Sequence, residues 1–114
     1  MKQDKFSMTL LFDYYGELLT EKQQTCFDLY YNQDLSLSEI AEESHISRQG
    51  VHDTLARAEA LLEHFEEKTG CIARDMRTRQ ALAEICGAAA QIRQLPGAQP
   101  LADTILAAAA RIKE

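Results

Sequence analysis

Apolar residues recur at helical spacing along almost the whole chain, and this pattern predicts an all-α protein. Met8, Leu11, Tyr15 and Leu18 alternate by three and four residues, which predicts a first helix over about residues 6–19. Only five Gly and two Pro interrupt the 114 residues, and runs of β-branched residues are absent. We therefore expect helices joined by short connections and no sheet.

Two capping boxes mark the starts of the next two helices. Thr20 is followed three residues later by Gln23, and Ser36 is followed in the same way by Glu39. In such a box the hydroxyl and the longer polar side chain each accept a hydrogen bond from the backbone of the first turn. The second box predicts a short helix of about two turns over 37–44.

A third cap candidate, Ser47, opens a longer helix that we expect to run through about Lys68, with Gly70 as its stop. Its apolar positions are Val51, Leu55, Ala58, Leu62 and Phe65. A stripe with this spacing packs on the first helix of the same chain or forms the seam of a two-fold dimer. The pattern leaves both alternatives open.

The remainder of the chain is rich in alanine and predicts a helical hairpin. We expect one helix over 72–95, a turn at 96–100 and a last short helix over 101–112. The predicted stripes are Leu82, Ile85, Cys86, Ala89 and Ile92, then Leu101, Ile105, Ala108, Ala109 and Ile112. Small side chains allow close approach but bury little area, so the segment 71–114 needs the long helix or a second subunit to pack on.

A short capped helix, a tight turn and a longer capped helix form the helix-turn-helix pattern. Ile40 of the first helix, Ile46 of the turn, and Val51 and Leu55 of the second helix are expected on the inner side. His45 stands in the turn where a left-handed backbone is usual, which His tolerates better than bulky residues do. We therefore place a helix-turn-helix domain at 6–70.

The second helix of such a unit lies in the major groove of DNA, with its N-terminal residues at the base edges. By donor and acceptor matching, Arg48 suits guanine and Gln49 suits adenine, while Ser47 and Arg57 suit phosphates. The candidate nucleic-acid-binding residues are Ser47, Arg48, Gln49, His52 and Arg57.

The charge distribution restricts this interpretation. The net charge is −6; residues 1–70 hold six Lys or Arg and fourteen Asp or Glu, whereas residues 71–114 hold six and four. Affinity for phosphates comes from cations, so any contact with nucleic acid is local, weak and sensitive to salt. Asp53 lies within the candidate surface and repels phosphates. The acidity favours an alternative function, an adaptor that uses the same fold to bind a protein partner without DNA.

Three stretches carry a resemblance to a known family: Leu-Thr-x-Lys-Gln at 19–23, the run at 34–41 and the run at 47–53. Over about residues 6–70 the sequence resembles the YlxM family of bacterial proteins, which is similar to region 4 of sigma factors. The resemblance implies a sigma-region-4-like helix-turn-helix bundle and a regulatory protein. It also implies a link to the signal recognition particle pathway, with components of that particle or RNA polymerase as partners.

Other chemistry finds little support in the sequence. His45, His52 and His64 lack the spacing of a metal site, and no nucleophile triad or phosphate-binding loop is present, so we expect no enzyme activity, metal or cofactor. Three widely spaced cysteines indicate reduced thiols in a cytoplasmic protein. No apolar run approaches the ~20 residues that span a bilayer. Among protein partners we also consider a second copy of the chain, which would make a homodimer.

Overall fold

The computed structural model describes residues 4–112, and all the regular elements in this range are helices, which confirms the all-α prediction. They are α1 (Lys5–Tyr15), α2 (Glu21–Phe27), α3 (Leu37–Ser44), α4 (Arg48–Thr69), α5 (Cys71–Ile92) and α6 (Gln99–Ile112). The chain forms two compact units, of which the first ends at Ile72 and the second begins at Ala73. The candidate site lies in the first unit.

The first helix ends earlier than its stripe predicts. After Tyr15 the chain tightens into a 3₁₀ turn over Gly16–Leu18, which the Leu19 N–H closes by donating to the Gly16 carbonyl at 3.0 Å. A 3₁₀ turn advances by three residues rather than 3.6, so it shifts the side that faces the core. Leu19 is buried and Leu18 is 66% exposed, so the prediction that Leu18 continues the stripe is wrong.

Local side-chain chemistry sets the start of α2 as predicted. The Thr20 hydroxyl accepts a hydrogen bond from the Gln23 N–H, and the Gln23 side chain accepts one from the Thr20 N–H. Gln24 then donates from its amide nitrogen to the carbonyls of Gly16 and Leu19, at 2.9 and 3.1 Å. These bonds join α2 to the turn before it.

The second helix widens into a π-helical turn over Asp28–Asn32. Widening places an extra residue in the turn, and here it carries the adjacent aromatic residues Tyr30 and Tyr31 towards the core. The Tyr31 ring is fully buried and stacks on Phe27 with ring centroids 4.5 Å apart. Its hydroxyl donates a hydrogen bond to Glu59 of α4.

The long helix α4 packs within the first unit along its whole inner side. Val51 and Leu55 join one buried cluster with α3, and Ala58 and Leu62 join a second with α1 and α2. Phe65 packs against the second cluster. The intramolecular alternative for this stripe is therefore confirmed, and these side chains are not available as a dimer seam.

A hydrogen-bonded group fixes the end of α4. The Tyr15 hydroxyl donates to Glu66 Oε1 at 2.5 Å and lies 2.7 Å from the Thr69 hydroxyl. The same Glu66 oxygen accepts the Ile72 N–H at 3.0 Å. Gly70, with φ of 64°, provides the left-handed stop between α4 and α5. Burial and the neighbouring Glu66 raise the pKa of Tyr15 above its usual value.

The second unit holds α5 from Ala73 onward and α6, and its pattern differs in part from the prediction. The first helix ends at Ile92 rather than at 95, and α6 begins at Gln99, so Pro100 lies in its first turn, where proline is tolerated. The large aliphatic residues of the α6 stripe are exposed, and its buried positions are Ala102 and Ala109. The turn between the helices carries an Arg93–Asp103 ion pair with Nε and Oδ1 2.6 Å apart.

We predict that Tyr15→Phe lowers the free energy of unfolding by about 1–2 kcal/mol, because the Glu66 carboxylate loses a donor in a partly buried place. Urea denaturation of Tyr15→Phe, Glu66→Gln and the double variant measures the coupling between the two side chains. We expect a coupling free energy of about 1 kcal/mol. Strictly additive losses would show that this bond does not stabilise the fold.

Candidate nucleic-acid interface

The turn between α3 and α4 has the geometry of a helix-turn-helix. His45 adopts a left-handed conformation with φ of 61°, and its N–H donates to the Ala41 carbonyl, as does that of Ile46 at 3.2 Å. The Ser36 and Glu39 capping box is present at the start of α3. The predicted turn and both ends of α3 are therefore confirmed.

A compact cluster holds α3 against the first two turns of α4. Ile40 and Val51 are fully buried, and Leu55 and Cys26 are nearly so. The partly buried side chains around them are Leu29, Tyr30, Leu35, Leu37, Ala41 and Ile46. Cys26 comes from α2, so the helix-turn-helix pair is supported from the preceding helix, and burial raises the pKa of its thiol.

Ser44 lies beside a cleft at this junction. The cleft measures about 400 Å³, and Lys22, Cys26 and Ile46 also line it. The lining residues come from α2, from the end of α3 and from the turn after it. Cys26 is only 2% exposed, so its thiol belongs to the core.

The predicted contact residues are all exposed along the N-terminal half of α4, and Gln49 and Arg57 among them lie on the side away from Val51. The Ser47 hydroxyl caps the helix by accepting the Gly50 N–H at 2.9 Å, which leaves its own proton to donate outward. The exposed side chains that follow it are Arg48, Gln49, His52, Asp53, Ala56 and Arg57. All the candidate residues are therefore exposed, over an arc of about half of the helix circumference that we call the outer face of α4.

Asp53 occupies the middle of the outer face and binds two of the candidate residues. Its Oδ1 accepts the Gln49 side-chain amide at 3.0 Å and lies 3.4 Å from His52 Nδ1. Hydrogen bonding from Gln49, then from His52, and the charge of Arg57 lower the pKa of Asp53 below its usual value. Sequence reasoning placed Asp53 on this face but missed these bonds; the Gln–Asp spacing of four residues is the signal that could have found the first.

The two arginines are the cations of the outer face. Among residues 4–112, no carboxylate lies within ion-pair distance of the guanidinium of Arg48 or Arg57. Beyond Arg57 the surface continues into an open cleft of about 490 Å³, lined by Gln23, Arg57, Ala60, Leu61 and His64. This cleft extends the outer face by about two turns, and the helix-turn-helix pattern gave no sign of it.

The described residues offer little for other chemistry. Residues 4–112 contain no group of three or more His, Cys, Asp or Glu side chains arranged to hold a metal ion. The cysteines at 26, 71 and 86 are not joined in disulfides. Within the same range, no helix has both the length and the apolar character that crossing a membrane requires.

An all-α bundle with a capped α3–turn–α4 pair and a polar outer face on its second helix is a helix-turn-helix protein. The particular family follows from comparison with known proteins. The family model described as "Putative helix-turn-helix protein, YlxM / p13 like" (UPF0122) matches residues 2–96, and the chain belongs to this family. The match continues through α5, further along the chain than the resemblance over 6–70.

Curated bacterial relatives support the same assignment. The chain is 53% identical over 85 residues to a UPF0122 protein of Thermoanaerobacter sp. (strain X514), covering 75% of this chain and 73% of the relative. It is 42% identical over 99 residues to a UPF0122 protein of Bacillus licheniformis, covering 87% and 86%. It is 54% identical over 66 residues to a UPF0122 protein of Clostridium kluyveri (strain ATCC 8527), covering 58% and 60%.

The bonds to Asp53 can be tested without any ligand. We predict that Gln49→Ala raises the pKa of Asp53 towards its ordinary value of 3.8, because the largest cause of the depression is removed. Carbon-13 NMR of the aspartate carboxyl groups, titrated with acid, measures this pKa. Asp13→Asn, on the exposed side of α1, serves as the control and should leave Asp53 unchanged. An identical Asp53 titration in Gln49→Ala would contradict the bond.

Proposed function

We propose that the protein binds duplex DNA through the outer face of α4 and acts as a regulatory protein of the helix-turn-helix type. The observation that carries the proposal is the opposition of the two sides of this helix. Val51 and Leu55 are packed in one cluster with Ile40 of α3, which places Gln49 and Arg57 on the other side of the helix, and Arg48 is exposed at its first turn. The two-helix unit supports insertion of the second helix into a groove.

The shape of the outer face favours DNA over duplex RNA. The major groove of B-form DNA admits an α-helix, whereas that of A-form RNA is too narrow and deep for side chains to read. Arg48 and Gln49 lie in the first turn, where a recognition helix meets the base edges. Arg48 pairs with guanine and Gln49 with adenine in this proposal.

The remaining candidate residues contact the DNA backbone. Ser47 donates its hydroxyl proton to a phosphate at the helix N-terminus, where the helix dipole favours an anion. Arg57 lies more than two turns further along, so it reaches the flanking backbone rather than the base edges. His52 lies between them and adds a positive charge when it is protonated.

This surface binds weakly, for two reasons. Only two arginines face the DNA, in a segment of seventy residues with an excess of eight negative charges. In addition, Gln49 must leave Asp53 before it can pair with a base, so part of the binding free energy is spent on breaking that bond. Both effects make the affinity depend strongly on salt.

A second candidate function is an acidic adaptor that binds a basic protein partner. The observation that favours it is the row of exposed carboxylates on α3, where Glu39, Glu42 and Glu43 lie on the side that would cross the DNA backbone. The partners implied by the resemblance are components of the signal recognition particle or RNA polymerase. In this function the same fold presents charge of the opposite sign to its partner.

We predict that Arg48→Ala weakens binding to a random-sequence duplex at low salt by about three- to tenfold and lowers the salt slope by about one. Fluorescence anisotropy with a labelled duplex measures both quantities. Lys68→Ala is the matched control, since it removes the same charge from the last turn of the same helix. Equal affinities for Arg48→Ala and the wild-type chain would exclude Arg48 from the interface.

The two functions are separated by a pull-down from a bacterial extract with and without nuclease. If DNA is the ligand, we expect the captured proteins to be lost after nuclease treatment. If the acidic surface is the binding site, partners remain after nuclease and are released by high salt. Capture that is resistant to nuclease but lost in Glu42→Lys would favour the adaptor over DNA binding.

A further inference from the structure

Few side chains are buried on α5 and α6 beyond Ile72. In residues 73–112 the buried side chains are Leu82 and Ala89 on α5, and Ala102 and Ala109 on α6. Each pair is seven residues apart, the spacing of two turns of helix. Three of these four residues are alanines, which contribute little apolar area.

The larger aliphatic residues of the hairpin are exposed and lie on one side of it. Measured from the buried Leu82, Ile85 and Ile92 on α5 are displaced by about 60° and 80° of rotation around the helix axis, at about 100° per residue. Measured from the buried Ala102, the exposed residues Leu101, Ile105 and Ile112 on α6 are displaced by about 60–100° around the helix axis, in the same direction of rotation. Because the two helices of a hairpin run in opposite directions, equal rotations turn both rows towards the same side.

This apolar face carries no charge between residues 78 and 92 of α5 or between 101 and 112 of α6. The positions between the aliphatic residues in the same sector are Thr78, Ala81, Ala88 and Ala108. The charged residues of these two segments, such as Glu84, Asp103 and Arg111, lie on other sides of the helices. The face therefore has no group that would select a charged partner, and alanines allow close helix packing.

The size of the apolar face fits an interface. Its five aliphatic side chains are between 38% and 71% exposed and together present an apolar area on the order of 450 Å². Two such faces, with the alanines between them, approach the ~1,200 Å² at which stable protein interfaces begin. A segment of about forty residues also needs additional packing, because it cannot bury enough surface alone.

We infer that the apolar face of α5 and α6 binds the same face of a second copy of this chain. An uncharged face of matched aliphatic and alanine positions is complementary to itself, as a two-fold interface requires. The association makes a four-helix bundle and gives the two alanine-lined hairpins a shared core. The core is then built from Ile85, Ile92, Leu101, Ile105 and Ile112 of both copies.

The association bears on ligand binding, although it does not rest on the proposed function. A dimer carries two outer faces of α4 and therefore two sets of Arg48 and Arg57. Linked sites raise the effective concentration for the second contact, so two weak sites bind a ligand with two suitable positions more tightly than either alone. The dimer thus offsets the shortage of cations in each copy.

Sedimentation equilibrium over the micromolar range tests the inference with the full chain. The wild-type chain is expected at twice 12.8 kDa, and Ile105→Glu at 12.8 kDa, because each copy would bury a charge at the centre of the interface. Ala107→Glu is the matched control; it adds the same charge to an exposed position on another side of α6 and should remain dimeric. Leu101→Ser, a milder change, should weaken the dimer by about tenfold or more.

The wild-type measurement keeps the test independent of how the variants fold. A wild-type chain at 12.8 kDa at every concentration would overturn the inference, and so would an unchanged dimer in Ile105→Glu. Circular dichroism of each variant shows whether the helices of the first unit are retained. None of these masses depends on nucleic acid, so a failed dimer test leaves the DNA proposal standing, and a failed DNA test leaves the dimer standing.

Discussion

The inner side of α4 is the constraint on which the first unit depends. Val51 and Leu55 hold the helix against α3, and Ala58 and Leu62 hold it against α1 and α2. Because both halves of one rigid helix are packed, its rotation about its own axis is fixed, and so is the direction in which its exposed side chains point. The small side chain of Ala58 matters here, since a larger residue at a fully buried crossing would push the helices apart. The outer face is therefore a consequence of the core rather than an independent feature.

The sequence predicted those features that local chemistry determines. Ser36 and Ser47 mark helix starts because their hydroxyl groups accept backbone N–H groups within the same turn, and this requires no knowledge of the rest of the fold. The exposed set on α4 also followed, since a cap and a stripe together determine which residues face outward. Leu18 shows where this reasoning fails. A 3₁₀ turn and a π turn each shift the helical phase, and the spacing of apolar residues in the sequence does not show where such turns occur.

The phase of α6 shows a second limit of pattern reasoning. The sequence predicted a stripe of Leu101, Ile105, Ala108, Ala109 and Ile112. In the structure Ala109 is buried as predicted, but its buried companion is Ala102, and Leu101, Ile105 and Ile112 are exposed. Alanine and isoleucine both count as apolar in a periodic pattern, but their side chains differ greatly in volume. Where two helices pack closely, the smaller residue fits between them.

The carboxylate of Asp53 has two opposite effects at the candidate interface. Asp53 stabilises Gln49 and His52 in the absence of a ligand, and the same carboxylate repels a phosphate and must be released before Gln49 can reach a base. A protein that bound nucleic acid tightly and without selection would gain from a basic residue at this position, since affinity follows the number of displaced counterions. An acidic residue reduces binding to all sequences by a similar amount, whereas the contacts of Arg48 and Gln49 depend on the bases. In the proposed function, the repulsion from Asp53 therefore lowers the affinity for every sequence alike, and discrimination between sequences depends on Arg48 and Gln49.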